Sequence, residues 1–178
     1  MSTSLYDFTV APYLQILAAV VGYLDKGRAH CEENDIDLAD VVETKLYPDM
    51  LPFRFQIYSV AHHSLGAIRG VQSGSFSPPP RLDLDYDALQ KLVIDARAEL
   101  EPLTPEEVNA LEGGDVVFNL GEHRLPFVAE DFLMTFSLPN FYFHATTAYD
   151  MLRMKGVPLG KRDFIGRMNM SGKPTRKE

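Results

Sequence analysis

Cysteine is nearly absent: Cys31 stands alone among 178 residues. One thiol forms no internal disulfide and leaves a Cys-based zinc site without ligands, so a reducing, cytoplasmic compartment is the expectation. Positive charge is scarce too, with 17 Lys and Arg against 25 Asp and Glu and a formal charge of -8. A body this acidic repels phosphate backbones unless its cations cluster, which argues against nucleic-acid partners. None of the main helices read below carries the basic pattern of a DNA recognition helix. Long apolar runs are missing as well. The stretch from Val10 to Val21 contains Pro12 and Gln15, follows no basic residue and is shorter than the roughly 20 residues a membrane span needs. Neither a signal peptide nor a membrane anchor is expected. The sequence also lacks a P-loop, a dinucleotide-type glycine fingerprint, Cys-x-x-Cys, a Gly-x-Ser-x-Gly elbow and any His-x-x-x-His.

What is present suits one globular domain. Hydrophobic residues at 46% and charged residues at 24% exclude wholesale disorder, and the length supports a single buried core. Leu14, Leu17, Val21 and Leu24 recur at helical spacing, which predicts helix one over residues 9–33. A connector with one short turn near residues 39–44 follows, bounded by Pro48 and Pro52. Helix two is predicted over residues 53–71, with Phe53, Ile57, Val60, Ser64, Ala67 and Val71 on its inner face. Tyr86, Leu89, Val93, Ala96 and Leu100 give helix three, closed by Pro102 and Pro105. Residues 115–120 and 123–128 read as a β-hairpin around Gly121-Glu122, with Pro126 placing its strand at an edge. Residues 129–136 predict a helical turn and 138–155 helix four, stopped by Gly156 and Pro158. Four long amphipathic segments make an all-α helix bundle with a small hairpin between helices three and four the economical fold. The domain is expected to span residues 1–165. Residues 161–178 hold six Lys or Arg and two Asp or Glu, which leaves a net charge of -12 on residues 1–160, and residues 166–178 read as a basic, disordered tail.

A few polar residues turn toward the core. On a wheel at 100° per residue with Phe53 at zero, Gln56 falls near 300° and His63 near 280°, on one shoulder of the apolar face. Their polar atoms need partners there. Neighbouring His62 falls near 180°, the solvent side. Beside His63 runs a stripe of small residues, Ser59, Gly66 and Gly70, which either admits a closely packed neighbour or leaves room for a ligand beside an imidazole. Helix four repeats the arrangement: Phe141, Ala145, Ala148 and Leu152 form its inner stripe, His144 sits on one shoulder, and Tyr142 and Tyr149 sit on the other. Neutral imidazole serves as base, acid or metal ligand near pH 7, so two histidines at corresponding positions form a candidate catalytic pair or, alternatively, two satisfied core residues. Asp150 and Arg153 are spaced for a surface ion pair, His123 reads as exposed, and His30 sits at the end of helix one.

Two stretches carry a family resemblance. Tyr47-Pro-Asp-Met-Leu-Pro-Phe53 with Gln56, and Leu138-Pro-Asn-Phe-Tyr-Phe-His-Ala-Thr-Thr-Ala-Tyr-Asp-Met-Leu-Arg153 followed by Gly156-Val-Pro-Leu-Gly-Lys-Arg-Asp-Phe164, resemble the signature stretches of the DUF1993 family. Leu5-Tyr-Asp and Leu24-Asp-Lys-Gly-Arg-Ala-His30 agree, so the resemblance runs to about Gly166 and is loosest over residues 74–136. It implies the DinB-like four-helix bundle, whose members include metalloenzymes and thiol-dependent transferases and often form homodimers. In metal-binding relatives one histidine comes from the second helix and two from near or within the fourth. His63 and His144 correspond to two of these, the residue four beyond His144 is Ala148, and Met154 stands where relatives show a polar residue.

The expectation drawn from residues and resemblance together is an enzyme for a small-molecule ligand, of isomerase, lyase or cyclase type, working without a cofactor. His63 and His144 would exchange protons while Gln56, Ser59, Tyr142 and Tyr149 hold the substrate. One alternative is a divalent-metal hydrolase or thiol transferase with the ion on His63 and His144. The other is a noncatalytic binding or dimerisation module that uses the aromatic stretch Phe132 to Phe143 as its surface.

Overall fold

The computed structural model describes residues 3–168 and 170. Helix α1 (Leu5–Phe8) leads into α2 (Val10–Glu33), and α3 (Leu38–Val42) precedes α4 (Phe53–Ala61). A π-helical turn (His62–Gly66) joins α4 to α5 (Ala67–Ser73), which runs into β1 (Ser75–Phe76). Then come α6 (Tyr86–Leu100), α7 (Pro105–Asn109), β2 (Asp115–Leu120) and β3 (His123–Val128). Helix α8 (Ala129–Asp131), a second π-helical turn (Phe132–Ser137) and α9 (Leu138–Met154) form the last long helix, followed by α10 (Lys161–Ile165). The bundle consists of α2, the α4–α5 unit, α6 and α9, as the apolar periodicities require.

The inner stripes of the α4–α5 unit, α6 and α9 are those that the spacing predicts, whereas on α2 Leu17 and Leu24 are buried and Leu14 and Val21 only half-buried. Phe53, Ile57, Val60, Ala67 and Val71 of the α4–α5 unit are buried, as are Leu89, Val93, Ala96 and Leu100 of α6 and Phe141, Ala145, Ala148 and Leu152 of α9. By length and composition alone, residues Leu5–Glu33 could cross a membrane. Here Tyr13, Leu17, Val20, Tyr23 and Leu24 of that segment are buried within the bundle, so it is a core helix. Three aromatic hydroxyls or hydroxyl chains tie α2 to its neighbours: Tyr86 Oη donates to the Leu24 carbonyl (2.8 Å), Tyr23 Oη to the Ala145 carbonyl (3.1 Å) and Tyr13 Oη to Ser137 Oγ (3.2 Å).

Local departures have physical causes. The last long helix begins at Ala129 rather than Leu138, because the π-helical turn carries the chain past Pro139, which has no N–H for a helical bond. The hairpin pairs Asp115 with Val128 through Leu120 with His123, and Gly121 at its tip has φ +59°, a left-handed turn conformation. β3 is an edge strand, which accommodates Pro126, but β2 also pairs in parallel with the two-residue β1, so the sheet has three strands in the order β1-β2-β3. Two residues are too few for a periodic signal. The short helices α7 and α10 also lay outside the sequence reading; α7 starts from a Thr104–Glu107 capping box, and α10 docks on α2 through Gln15 Nε2 to the Ile165 carbonyl (2.8 Å) and Lys26 to Asp163 (2.6 Å). Arg153 bonds the Leu159 carbonyl and forms no ion pair with Asp150 among the described residues. Most of the expected basic tail, residue 169 and residues 171–178, lies outside the described residues.

Candidate functional site

Helices α4 and α9 pack side by side and bring the two histidines together. The His63 and His144 ring centroids are 5.8 Å apart with their planes 16° from parallel. Both residues are nearly sealed, at 7% and 8% exposure. Phe55 and Phe143 meet the His144 ring edge-on at 5.7 and 5.2 Å, while Phe76 and Phe136 stand 5.7 and 5.6 Å from His63. His63 lies within the first π-helical turn, and its carbonyl accepts a 2.7 Å bond from Ser137 Oγ at the end of the second. Tyr13 donates to that same hydroxyl, so a buried chain anchors the His63 backbone to α2 and to the last long helix. Such π insertions recur at functional sites because they re-aim a side chain within a helix.

Hydrogen bonds fix the chemistry of His144. Gln56 Nε2 donates to the Leu51 carbonyl at 2.9 Å, and Gln56 Oε1 lies 2.8 Å from His144 Nδ1. The opposite amide orientation would set two acceptors face to face at Leu51, so Oε1 accepts and His144 Nδ1 carries the proton. Nε2 of His144 then presents a lone pair. Gln56 is thereby used at both ends of its amide. These two contacts make it a positioning residue for His144.

His63 is different. Its Nδ1 is buried without a partner, and so is Ser59 Oγ four residues earlier on the same helix. An unmet buried polar atom costs about 1–3 kcal/mol. Burial pushes the His63 imidazole down to about 3, helped by the nearby imidazoles of His62 and His144; burial, with His62, takes His144 to about 4. Both rings are neutral at neutral pH.

Other expected residues fall elsewhere. Tyr142 contacts the Phe141 ring, and Tyr149 packs between Tyr23 and Phe164; among the described residues neither makes a ring contact or hydrogen bond with the histidine pair. His62, expected in solvent, is half-buried under β1: its Nε2 is 2.9 Å from the Ser77 carbonyl and its ring 4.4 Å from Phe76. The two glycines of the small-residue stripe are packed against neighbours, Gly70 against this strand and Gly66 against the His62 ring. A Cβ on Gly70 would come within 2.9 Å of Phe76 Cδ2, and one on Gly66 within 3.2 Å of His62 Nδ1, so close packing rather than ligand space accounts for both glycines. Phe76 and Phe136, which wall the His63 ring, are the residues that sequence reasoning missed. The aromatic stretch expected as a partner surface mostly faces inward: Phe132 and Phe141 are buried, and Tyr142 and Phe143 are its exposed rings. A cavity of about 480 Å³ opens away from the histidines, between α3, α4 and the start of α6, beside Arg54, Glu43 and Asp83.

The donor set around the pair does not fit a metal centre. Catalytic zinc takes three protein ligands, commonly with an open position. Ala148, one turn beyond His144, offers no donor, and among the described residues no group of three His, Cys, Asp or Glu could hold an ion. The pair is one ligand short.

Two comparisons place the chain. Its fold matches the crystal structure of a DinB family member protein from Shewanella denitrificans with a TM-score of 0.78, over 95% of this chain and 96% of that one, at 22% sequence identity. No curated protein matches the chain. A family model described as a domain of unknown function, DUF1993, matches residues 5–165. The chain therefore belongs to the DUF1993 family and folds as a DinB-like helical bundle.

Proposed function

We propose that the protein is an enzyme of proton-transfer type, an isomerase, lyase or cyclase acting on a small organic molecule, with His144 as base and the neutral His63 ring as hydrogen-bond donor. The observation that carries this reading is the Leu51–Gln56–His144 chain, which holds a lone pair at His144 Nε2 beside a second, neutral imidazole. A base whose conjugate acid titrates near 4 removes protons only from activated positions, such as carbon next to a carbonyl. A neutral imidazole N–H at His63 would stabilise the oxygen charge that develops as that proton leaves. The two rings would play different parts, since one is tethered and the other is not.

The test is protein-dependent exchange of carbon-bound hydrogen in deuterium oxide, followed by NMR over a panel of small ketones, hydroxy ketones and cyclic enones. The reading expects exchange that disappears in His144→Gln and His63→Gln while both variants keep the wild-type fold. If both variants lose several kcal/mol of stability and no compound exchanges, the histidines are core residues and the reading fails.

A further inference from the structure

The two unpartnered buried atoms, Ser59 Oγ and His63 Nδ1, share one flank of the helix at the spacing of a single turn. Ser59 is 1% exposed, so water at the surface does not satisfy it. Elsewhere the buried hydroxyls are matched: Thr9 with Leu5, Ser64 with Val60, Ser137 with His63 and Thr147 with Phe143. One of the two atoms belongs to the His63 ring, which stacks on His144, and together they call for a group that both donates and accepts.

The surroundings specify the rest of that group. The rings against the histidines are Phe55, Phe76, Phe136 and Phe143, together with the His62 imidazole 5.4 Å from His63, which burial also disfavours in its charged form. The cations of this helix are engaged elsewhere, Arg54 with Glu43 and Asp83 and Arg69 with Glu99. A charged ligand group here would lose its hydration without gaining an opposite charge, and that loss exceeds what an aromatic face returns to a cation. An anion would require a proton on an imidazole that burial holds neutral.

We propose that the site takes an uncharged, flat molecule whose hydroxyl or amide group bridges Ser59 Oγ and His63 Nδ1 and whose apolar body lies against Phe55, Phe136 and Phe143. A ligand would enter past Phe143, which is 58% exposed, and half-buried Phe55, the two rings that flank His144. The inference rests on the histidine pair being a ligand site, and it adds the charge and shape of the ligand.

The test uses the full chain labelled with 15N-histidine, titrated at pH 7.5 with phenol, benzoate and benzylamine in turn. Phenol is expected to shift the His63 nitrogen resonances saturably, with benzoate and benzylammonium at least about tenfold weaker. Ser59→Ala should weaken phenol binding about tenfold while leaving the ligand-free histidine resonances nearly unchanged; Ser59→Cys, close in size, repeats the measurement should the alanine variant fold poorly. If benzoate or benzylammonium shifts the same resonances as strongly as phenol, the selection against charge is wrong and the histidine pair stands as a ligand site. If phenol shifts His63 equally in wild type and both Ser59 variants, the bridge is wrong. If none of the three shifts His63 and its nitrogen shows an exchange contact to a resident water only, both the bridge and the pair as a ligand site are overturned.

Discussion

The polar groups buried along α2 and those buried between α4 and α9 are handled in opposite ways. Along α2, the Tyr13, Tyr23 and Tyr86 hydroxyls lie deep in the bundle, burial raises their pKa values, and each ends on a definite acceptor. Between α4 and α9, His144 is fully tethered on one nitrogen, whereas His63 Nδ1 and Ser59 Oγ have no partner at all. A fold that can satisfy three tyrosines in its core does not leave two adjacent groups unmet for lack of means. The contrast separates polar residues that hold the bundle together from polar residues that await something else.

The largest effect that would sharpen this contrast is catalytic. His144→Gln and His63→Gln should each lower exchange turnover by about 10²–10⁴-fold, the range of general acid–base catalysis, whereas Tyr23→Phe should leave it unchanged. Kinetics on any compound that exchanges would check this. Equal losses in all three variants would erase the distinction between the two regions.

The next effect is on stability against pH. Both histidines have folded pKa values below the ordinary 6.5, so the unfolded chain binds protons more readily as pH falls. Stability is therefore full above about pH 6.5 and is lost progressively down to about pH 3–4, by on the order of a few kcal/mol. Urea unfolding at pH 7.5 and 4.5 measures it. His63→Phe/His144→Phe should flatten that slope, and Tyr86→Phe should leave it intact.

Gly70→Ala should cost about 1–3 kcal/mol, because its methyl would collide with Phe76 and displace the strand that covers His62. Thermal unfolding gives the cost, and the histidine NMR resonances show the displacement. The smallest effects form a matched pair. Tyr86→Phe removes a made bond and should cost about 1 kcal/mol, while Ser59→Ala removes an unmet hydroxyl and should be neutral or stabilising. Denaturant midpoints distinguish the two signs.

How much of this was legible in the sequence follows from the range of each interaction. Helical period placed Ile57, Val93 and Ala145 in the core and put His63 and His144 each on a shoulder of its own helix, since period is a local property; that the two rings face each other is seen only in the fold. The hairpin was legible for the same reason, with Gly121 at its tip. β1 was not: Ser75 and Phe76 are strand only because β2 passes beside them, more than 40 residues later. That one contact buries His62, fills the space beside Gly70 and supplies a wall of the His63 environment. Gln56 was legible as an inward polar residue but not as the tether of His144, because the partner lies 88 residues away and the amide also needs the Leu51 carbonyl. Tyr142 and Tyr149 show the limit of a wheel: inclination toward the core did not say which neighbour they would meet.

The measurement that bears most directly on the histidine pair is a pH titration of its imidazole nitrogens by 15N NMR. The account predicts that His63 and His144 stay neutral down to about pH 5, with His144 protonated at Nδ1 and its Nε2 showing the shift of a bare lone pair. A ring that titrates near 6.5, or a proton found on His144 Nε2 in place of Nδ1, would contradict it.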